Sequence, residues 1–192
     1  VTHEQSDHAG GIEELLGRFA IGELAYARLG RELRAEAVAA EADPVRLAAG
    51  DAIRSGGLRL DVLWPPAALL AAPLGGTDPN AQALVLLARW HDFTMLLCAD
   101  AEAGEAPIDP GPVDVLKVAH HGSEDPGLGA LLDRTSPRLA VISVGDGNTY
   151  GHPVPATLAE LAAHEIFTLR TDEAGNIVVD ADKDSFVVAV GD

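Results

Sequence analysis

The sequence predicts a layered α/β sandwich of sheets and helices, and three observations carry that reading. The chain has 192 residues, of which 47% are apolar and 22% charged, enough to bury a sizeable core within one domain. Short apolar runs recur along it, and several end directly in Asp or His. In the second half these runs alternate with helical spacing, after an opening built of hairpins.

The elements follow in order. Val1 and Thr2 read as the end of a strand that passes through a polar loop to His8, and Gly10-Gly11 lead into a helix with Ile12, Leu15, Leu16 and Phe19 at helical spacing. Residues 23–49 are rich in Ala, Arg, Glu and Leu, and the stripe Leu24, Leu29, Leu33 fits one solvated helix ending before Pro44. Residues 58–64 alternate with period two and stop at Pro65-Pro66, which predicts a half-buried strand, and the Gly- and Pro-containing stretch 67–79 reads as loop. Two apolar runs, 83–90 and 93–99, flank His91-Asp92 as a tight hairpin at the centre of a sheet. Then come a buried strand at 113–119, a short helix at 128–134, a strand at 139–144, and a helix opened by Pro155 that runs through His164. Residues 166–170, 176–180 and 186–190 are closing strands, the first two joined by a turn at 173–175.

Composition excludes several functions. A net charge of −17 argues against broad electrostatic adhesion to DNA or anionic lipid, so any nucleic-acid contact must be local or metal-mediated. Lys117 and Arg170 are the cations placed to serve locally, although ordinary surface charge is their simpler role. No apolar run approaches the ~18 residues that span a bilayer. The single cysteine, Cys98, excludes an intrachain disulfide and a four-cysteine zinc site. The chain starts at Val1 without a Met or a signal-like segment, which reads as a piece cut from something longer.

The placement of ligand-type residues points to chemistry. Four strand ends terminate in them: His3 with Asp7 and His8, then Asp100, then His120 with His121, then His152. Loops at strand ends are where α/β folds gather sites. Imidazole nitrogen and carboxylate oxygen suit zinc or manganese, so the economical reading is a site for one or two divalent ions. Each piece alone has a blander role: Asp100 as the cap of a helix from Ala101, His152 as a turn residue before Pro153, His91 and His164 as ordinary histidines. His120 and His121 are adjacent, so on an extended backbone only one of them faces a given metal.

Taken together, the pattern resembles the metallo-β-lactamase-like superfamily. Thr2-His3-Glu4-Gln5-Ser6-Asp7-His8-Ala9-Gly10-Gly11 looks like its H-x-H-x-D-H loop, Gly pair and helix. More narrowly, Asp78-Pro79-Asn80, Cys98-Ala99-Asp100-Ala101-Glu102, the run from Asp114 through Ala119-His120-His121-Gly122-Ser123, Ile142 to Gly145, Asn148 to Pro153, and Arg170 to Gly175 are similar to the hydrolase-like C-terminal domain of the ComEC DNA-uptake channel family. This resemblance covers essentially the whole chain. It implies an αββα metallo-β-lactamase-like sandwich, here lacking its N-terminal strands because the loop begins at residue 3, so that residues 1–192 are one truncated domain of a longer membrane protein.

By that resemblance His3 binds a first metal, Asp7 and His8 a second, Asp100 contacts both, and His121 or His120 completes the shell with His152. Asp7 is also the candidate to orient or deprotonate the attacking water, while His120, Gln5, Ser123 and Asn80 surround the site or touch substrate. The implied activity is metal-dependent phosphodiester hydrolysis, a nuclease acting on single-stranded DNA during uptake. The implied setting is the extracytoplasmic side of a bacterial membrane, attached to the channel portion of the same protein, with no membrane insertion by this segment itself. Three departures matter. Gln5 stands where the superfamily has His or Asp, and a neutral amide is a poor zinc ligand. Asn80-Ala81-Gln82-Ala83 lacks the usual serine, and Cys98 replaces a common glycine as a small buried hydrophobe. Gln5 and the missing hydroxyl keep open a non-catalytic structural or docking domain with an incomplete metal site; a free-standing hydrolase of esters, lactones or β-lactams is a weaker option.

Overall fold

The computed structural model describes residues 1–71, 78–183 and 185–191. Its main sheet has seven strands in the order β3-β4-β5-β6-β7-β8-β9: β3 Ala52–Ser55, β4 Leu58–Trp64, β5 Val85–Trp90, β6 Phe93–Leu97, β7 Val115–Lys117, β8 Leu139–Ile142 and β9 Phe167–Arg170. Strands β3 to β6 pair antiparallel, and β6 to β9 pair parallel.

Side-chain alternation along the strands builds two cores on opposite faces. On one face Val85, Leu87, Leu96, Leu116 and Ile142 pack against Leu131 and Leu132 of α5 (Leu128–Thr135) and Leu161 of α6 (Pro155–Ala163). On the other face Val62, Leu84 and Leu86 meet Ala25, Ala27, Val45 and Leu47. These belong to, or directly follow, a two-stranded parallel sheet, β1 Glu23–Tyr26 and β2 Asp43–Arg46. Its outer side is closed by α2 (Ile12–Arg18) and α3 (Arg31–Ala39), through Leu16, Leu24, Leu33 and Ala37. The layers therefore run helix, sheet, sheet, helix, as expected, with two strands in the second sheet among the described residues. Each fully buried Leu or Ile in these cores contributes about 1.5–3 kcal/mol.

Several expectations are corrected. Residues 23–49 are not one helix but a parallel β1-α3-β2 unit, and Leu24 and Tyr26 are buried in β1 where a helical stripe was expected. Val1 and Thr2 form no strand, although the Val1 nitrogen donates to Ala25 O and Leu84 N donates to Thr2 O, tying the segment between the two sheets. The stretch 67–79 begins with a short helix, α4 (Ala67–Ala71), and residues 72–77 of that expected loop lie outside the described residues. Strand β3 was not expected; it forms by pairing with β4 across Gly56-Gly57. The expected turn at 173–175 is the short helix α7 (Thr171–Ala174) followed by Gly175. The last strands, β10 (Asn176–Ala181) and β11 (Phe186–Gly191), form their own antiparallel hairpin.

Candidate metal centre

The ligand-type residues converge at the carboxyl ends of the parallel strands. Just beyond β6, Ala99 has a left-handed backbone (φ 47°), which turns the chain so that Asp100 points into the molecule. His120 N donates to Ala99 O, holding the end of β7 against that turn. His120 (φ 45°) and His121 (φ 54°) are left-handed too, and a cluster of such strained residues is a common mark of a functional site. The backbone here is left-handed, not extended: His121 Nε2 lies 3.6 Å and His120 Nε2 3.9 Å from Asp100 Oδ2, and of the two only His121 falls in the group that can hold an ion. Gly122 follows with φ 82°, and a Cβ there would lie 2.6 Å from Pro153 Cβ, so only glycine lets the 120–123 turn seat against the 148–153 loop.

From the other side of the site, α1 (Ser6–Ala9) presents Asp7 and His8. His8 Nε2 lies 3.1 Å from Asp100 Oδ2, without the alignment of a hydrogen bond, and 3.6 Å from Asp7 Oδ2. His121 Nε2 lies 3.2 Å from Asp7 Oδ2. Asp7, His8, Asp100 and His121 can each offer a ligand atom, all within 4.8 Å of one another. His3 stacks its ring on His8 at 4.2 Å between centroids and brings Nε2 to 3.9 Å from Asp100.

The electrostatics of this cluster suit a cation. Asp100 is 1% exposed and neither carboxylate oxygen has a hydrogen-bond partner; His3 Nε2 and His8 Nε2 are buried and unpartnered as well. An isolated buried carboxylate is destabilising by several kcal/mol. His121 Nδ1 lies 2.8 Å from Ser143 O, and a carbonyl oxygen only accepts, so Nδ1 carries the proton. The Nε2 of this ring then faces Asp7 Oδ2 at 3.2 Å and Asp100 Oδ2 at 3.6 Å, so a positive charge, either a proton on Nε2 or a cation between these groups, balances the two carboxylates. Metal-bound histidines commonly donate their other N–H to a carbonyl or carboxylate in this way. Two imidazole nitrogens and two carboxylates suit zinc or manganese. The residues present therefore fit a divalent ion.

Burial and the neighbouring His8 lower the His3 pKa, outweighing Asp100, and burial with His120 and His121 lowers that of His152; both favour the neutral, ligating ring. For Asp7, burial pushes upward but is outweighed by its own backbone amide and by His8 and His121, so its carboxyl stays below the ordinary range.

The remaining expected residues surround the cluster. His120 Nδ1 lies 2.9 Å from Glu102 Oε1, and Asn80 Nδ2 lies 3.4 Å from His120 Nε2. An N–H at Nδ1 and a lone pair at Nε2 satisfy both. Ser123 Oγ donates to the same Glu102 oxygen at 2.5 Å. His152 stands beside His120, 5.6 Å between ring centroids, outside the four-residue group; Asn148 fixes its loop by donating to His152 O and accepting from His152 N. Gln5, Asp7, His120, His121, Tyr150 and His152 border a cleft of about 450 Å³ opening onto the cluster. No helix begins at Ala101, so Asp100 is not a helix cap. Of the two expected local cations, Lys117 is half-buried and interacts electrostatically with Asp100 and with Cys98, while Arg170 is paired with Asp172 and Glu173. Sequence reasoning gave no role to Glu102; the signal available was a carboxylate two residues after the ligand Asp100, the place from which it can orient a neighbouring imidazole.

No family model matches the chain. Its sequence is 31% identical over 195 residues to ComE operon protein 3 of Bacillus subtilis (strain 168), covering 92% of this chain and 24% of that protein. It is 27% identical over 185 residues to Recombination protein 2 of Haemophilus influenzae, covering 93% and 21%. Over 61 residues it is 44% identical to Competence protein ComA of Neisseria gonorrhoeae, covering 32% and 9%. The chain thus spans less than a quarter of the length of each of these relatives. Among solved structures, the metallo-β-lactamase fold protein YhfI of Bacillus subtilis superposes with a TM-score of 0.60 at 10% identity, covering 99% of this chain and 75% of YhfI. A variant of CmlA β-hydroxylase gives 0.55 at 12%, covering 88% and 42%. At such identities the likeness establishes the fold alone.

Proposed function

We propose that this chain, which has the metallo-β-lactamase fold and is homologous over most of its length to ComE operon protein 3 and Recombination protein 2, is a metal-dependent hydrolase of phosphodiesters acting on single-stranded DNA. The observation that carries the reading is Asp100: a buried carboxylate with no hydrogen bond, ringed by His8, His121, His3 and His120. Asp7, His8, Asp100 and His121 would hold a divalent ion, zinc or manganese, and His3 and His152 are the further candidate ligands should a second bind. When bound, such an ion makes water a nucleophile near neutral pH and offsets charge developing on a phosphodiester oxygen.

The chain's own residues supply the rest. Asp7 is half exposed at the mouth of the cleft, where its carboxylate is placed to orient or deprotonate an attacking water. Glu102 fixes the His120 ring so that Nε2 faces the cleft as an acceptor, steadied by Asn80. His152 and Tyr150 line the wall where a substrate would lie. The names of the relatives tie them to competence and recombination. Together with the motif resemblance to the ComEC family, this leads us to propose DNA entering the cell as the substrate, the channel portion of the same parent protein as the partner, and the extracytoplasmic face of the membrane as the location. Among the described residues no helix is long and apolar enough to cross a membrane, in keeping with a domain carried by such a channel.

The test is cleavage of an end-labelled single-stranded oligonucleotide by the manganese- or zinc-loaded protein. Cleavage that is abolished by a chelator and by Asp100→Ala is the expected result. Metal binding without cleavage would instead favour the docking reading, which the neutral Gln5 at a usual ligand position supports.

A further inference from the structure

The 3–8 loop also borders a second cleft, of about 460 Å³, lined by Arg28, Arg34 and Arg46 together with Glu4, Tyr26 and Leu70. Three guanidiniums in one cleft stand out in a chain of net charge −17. Elsewhere five of the eight other arginines are paired with carboxylates, Arg18 with Glu14, Arg59 and Arg89 with Asp61, Arg138 with Asp114 and Arg170 with Asp172, while Arg31, Arg54 and Arg134 lie apart from one another in sequence and, among the described residues, share no cleft with a second arginine. Among the described residues, no carboxylate forms an ion pair with Arg34 or Arg46. Arg46 Nη2 donates to Leu70 O, a backbone oxygen that holds the side chain and leaves its charge in place. Arg28 Nη2 donates to Leu69 O at 3.1 Å, which fixes a second guanidinium beside it.

The one carboxylate lining the cleft, Glu4, accepts a hydrogen bond from Gly30 N, which precedes α3. The positive end of the α3 dipole offsets part of that charge, so the cleft remains cationic. Glu4 directly follows His3, and Gln5 and Asp7 of the same loop line the metal-side cleft. The loop thus borders both the arginine cleft and the cleft of the Asp100 centre.

We infer that the arginine cleft binds backbone phosphates of a single nucleic-acid strand whose reacting phosphodiester lies at the Asp100 centre. The inference rests on the phosphodiesterase reading for its geometry, but binding is measurable without metal. Guanidiniums recognise phosphate oxygens through paired N–H donors, and such recognition is indifferent to base sequence. It also explains how a strongly acidic chain tolerates a polyanion: the attraction is short-ranged and local.

The experiment is fluorescence anisotropy of a labelled oligothymidylate with the protein in a chelator, titrated between about 50 and 200 mM salt. Compared are the wild type, Arg34→Glu, Arg34→Glu/Arg46→Glu, and Arg138→Glu, which makes the same charge change at the opposite end of the parallel strands. The expected result is an affinity weaker by about tenfold or more in the double variant, with a log–log salt slope shallower by about 0.7 for each phosphate no longer held by an arginine. Arg34→Glu, which disturbs no anchoring bond, follows in the same direction, and Arg138→Glu stays within about twofold of wild type. Equal affinity and slope in all four proteins, or no binding by the wild type, overturns the inference. Binding of phosphatidylglycerol vesicles in place of the oligonucleotide overturns it too, and gives the cleft to a membrane surface. Metal-free binding that survives while metal-dependent cleavage is absent contradicts the hydrolase reading and leaves the cleft assigned.

Discussion

The two halves of the main sheet do different work. In the parallel half, β6, β7 and β8 all end at the same edge, so Asp100, the His120-His121 pair and the loop bearing His152 emerge side by side. In the antiparallel half, β3 to β5 alternate direction and none of the clustered site residues emerges directly from a strand end; these strands supply core and a seat for the β1-β2 sheet. Parallel pairing with short loops is therefore what turns scattered motifs into one site, and the left-handed residues Ala99, His120 and His121 complete the convergence.

The contrast can be broken experimentally. The largest effect expected is kinetic, at Cys98, which follows β6 and is buried beside Lys117. Burial pushes its thiol up to about 12 from 9.0. Three pH units of suppressed thiolate predict modification by a thiol reagent near pH 8 slowed roughly a thousandfold in the native protein, with ordinary reactivity restored by denaturant. Fast labelling of the folded chain would mean that the parallel half is open where it should be closed.

Next come paired substitutions, one in each half. Leu87→Ala in β5 removes a side chain that is 1% exposed and should cost about 2–5 kcal/mol in denaturant unfolding, while the protein that remains folded binds metal as before. Gly122→Ala should cost a comparable amount, about 2–4 kcal/mol, through its positive φ and the clash with Pro153, and should also weaken metal binding by shifting His121. If both variants lose metal affinity equally, the division of labour between the halves is wrong.

A smaller effect is expected at Glu102. Glu102→Ala should lower cleavage about 10–100-fold by freeing His120, with Glu102→Gln recovering part of it because the amide oxygen still accepts from Nδ1. Ring resonances of His120 should shift in both variants while metal content stays within about twofold of wild type. Loss of the metal itself would make Glu102 a support of the whole centre.

Legibility in the sequence followed the same division. Strands β5 to β8 were readable because Val85 to Leu87, Leu96, Val115, Leu116 and Leu139 to Ile142 form continuous apolar runs, the mark of strands buried on both faces. Strands β1 and β2 were not: each has four residues, Glu23 to Tyr26 reads as a continuation of the Ala-, Arg- and Glu-rich helical stretch, and β2 has only Val45 as an apolar β-former beside Pro44 and the charged Asp43 and Arg46. Only parallel pairing across α3, a non-local interaction, makes them strands. Strand β3 has Ile53 as its one large apolar residue and owes its existence to β4. The ligand types were visible at strand ends, but the direction of His120 and His121 was not, since it depends on two positive φ angles that an extended chain lacks. The arginine cleft was invisible for the same reason as β1 and β2, because Arg28 and Arg46 meet only once those strands pair.

The central claim is that Asp100 is buried among imidazoles because a divalent ion belongs there. Elemental analysis after manganese or zinc loading and gel filtration, on the wild type and on Asp100→Asn, tests it most directly. At least one equivalent retained by the wild type and none by Asp100→Asn, with circular dichroism showing both folded, is the expected result. An equal metal content in the two proteins, or none in the wild type, would contradict it.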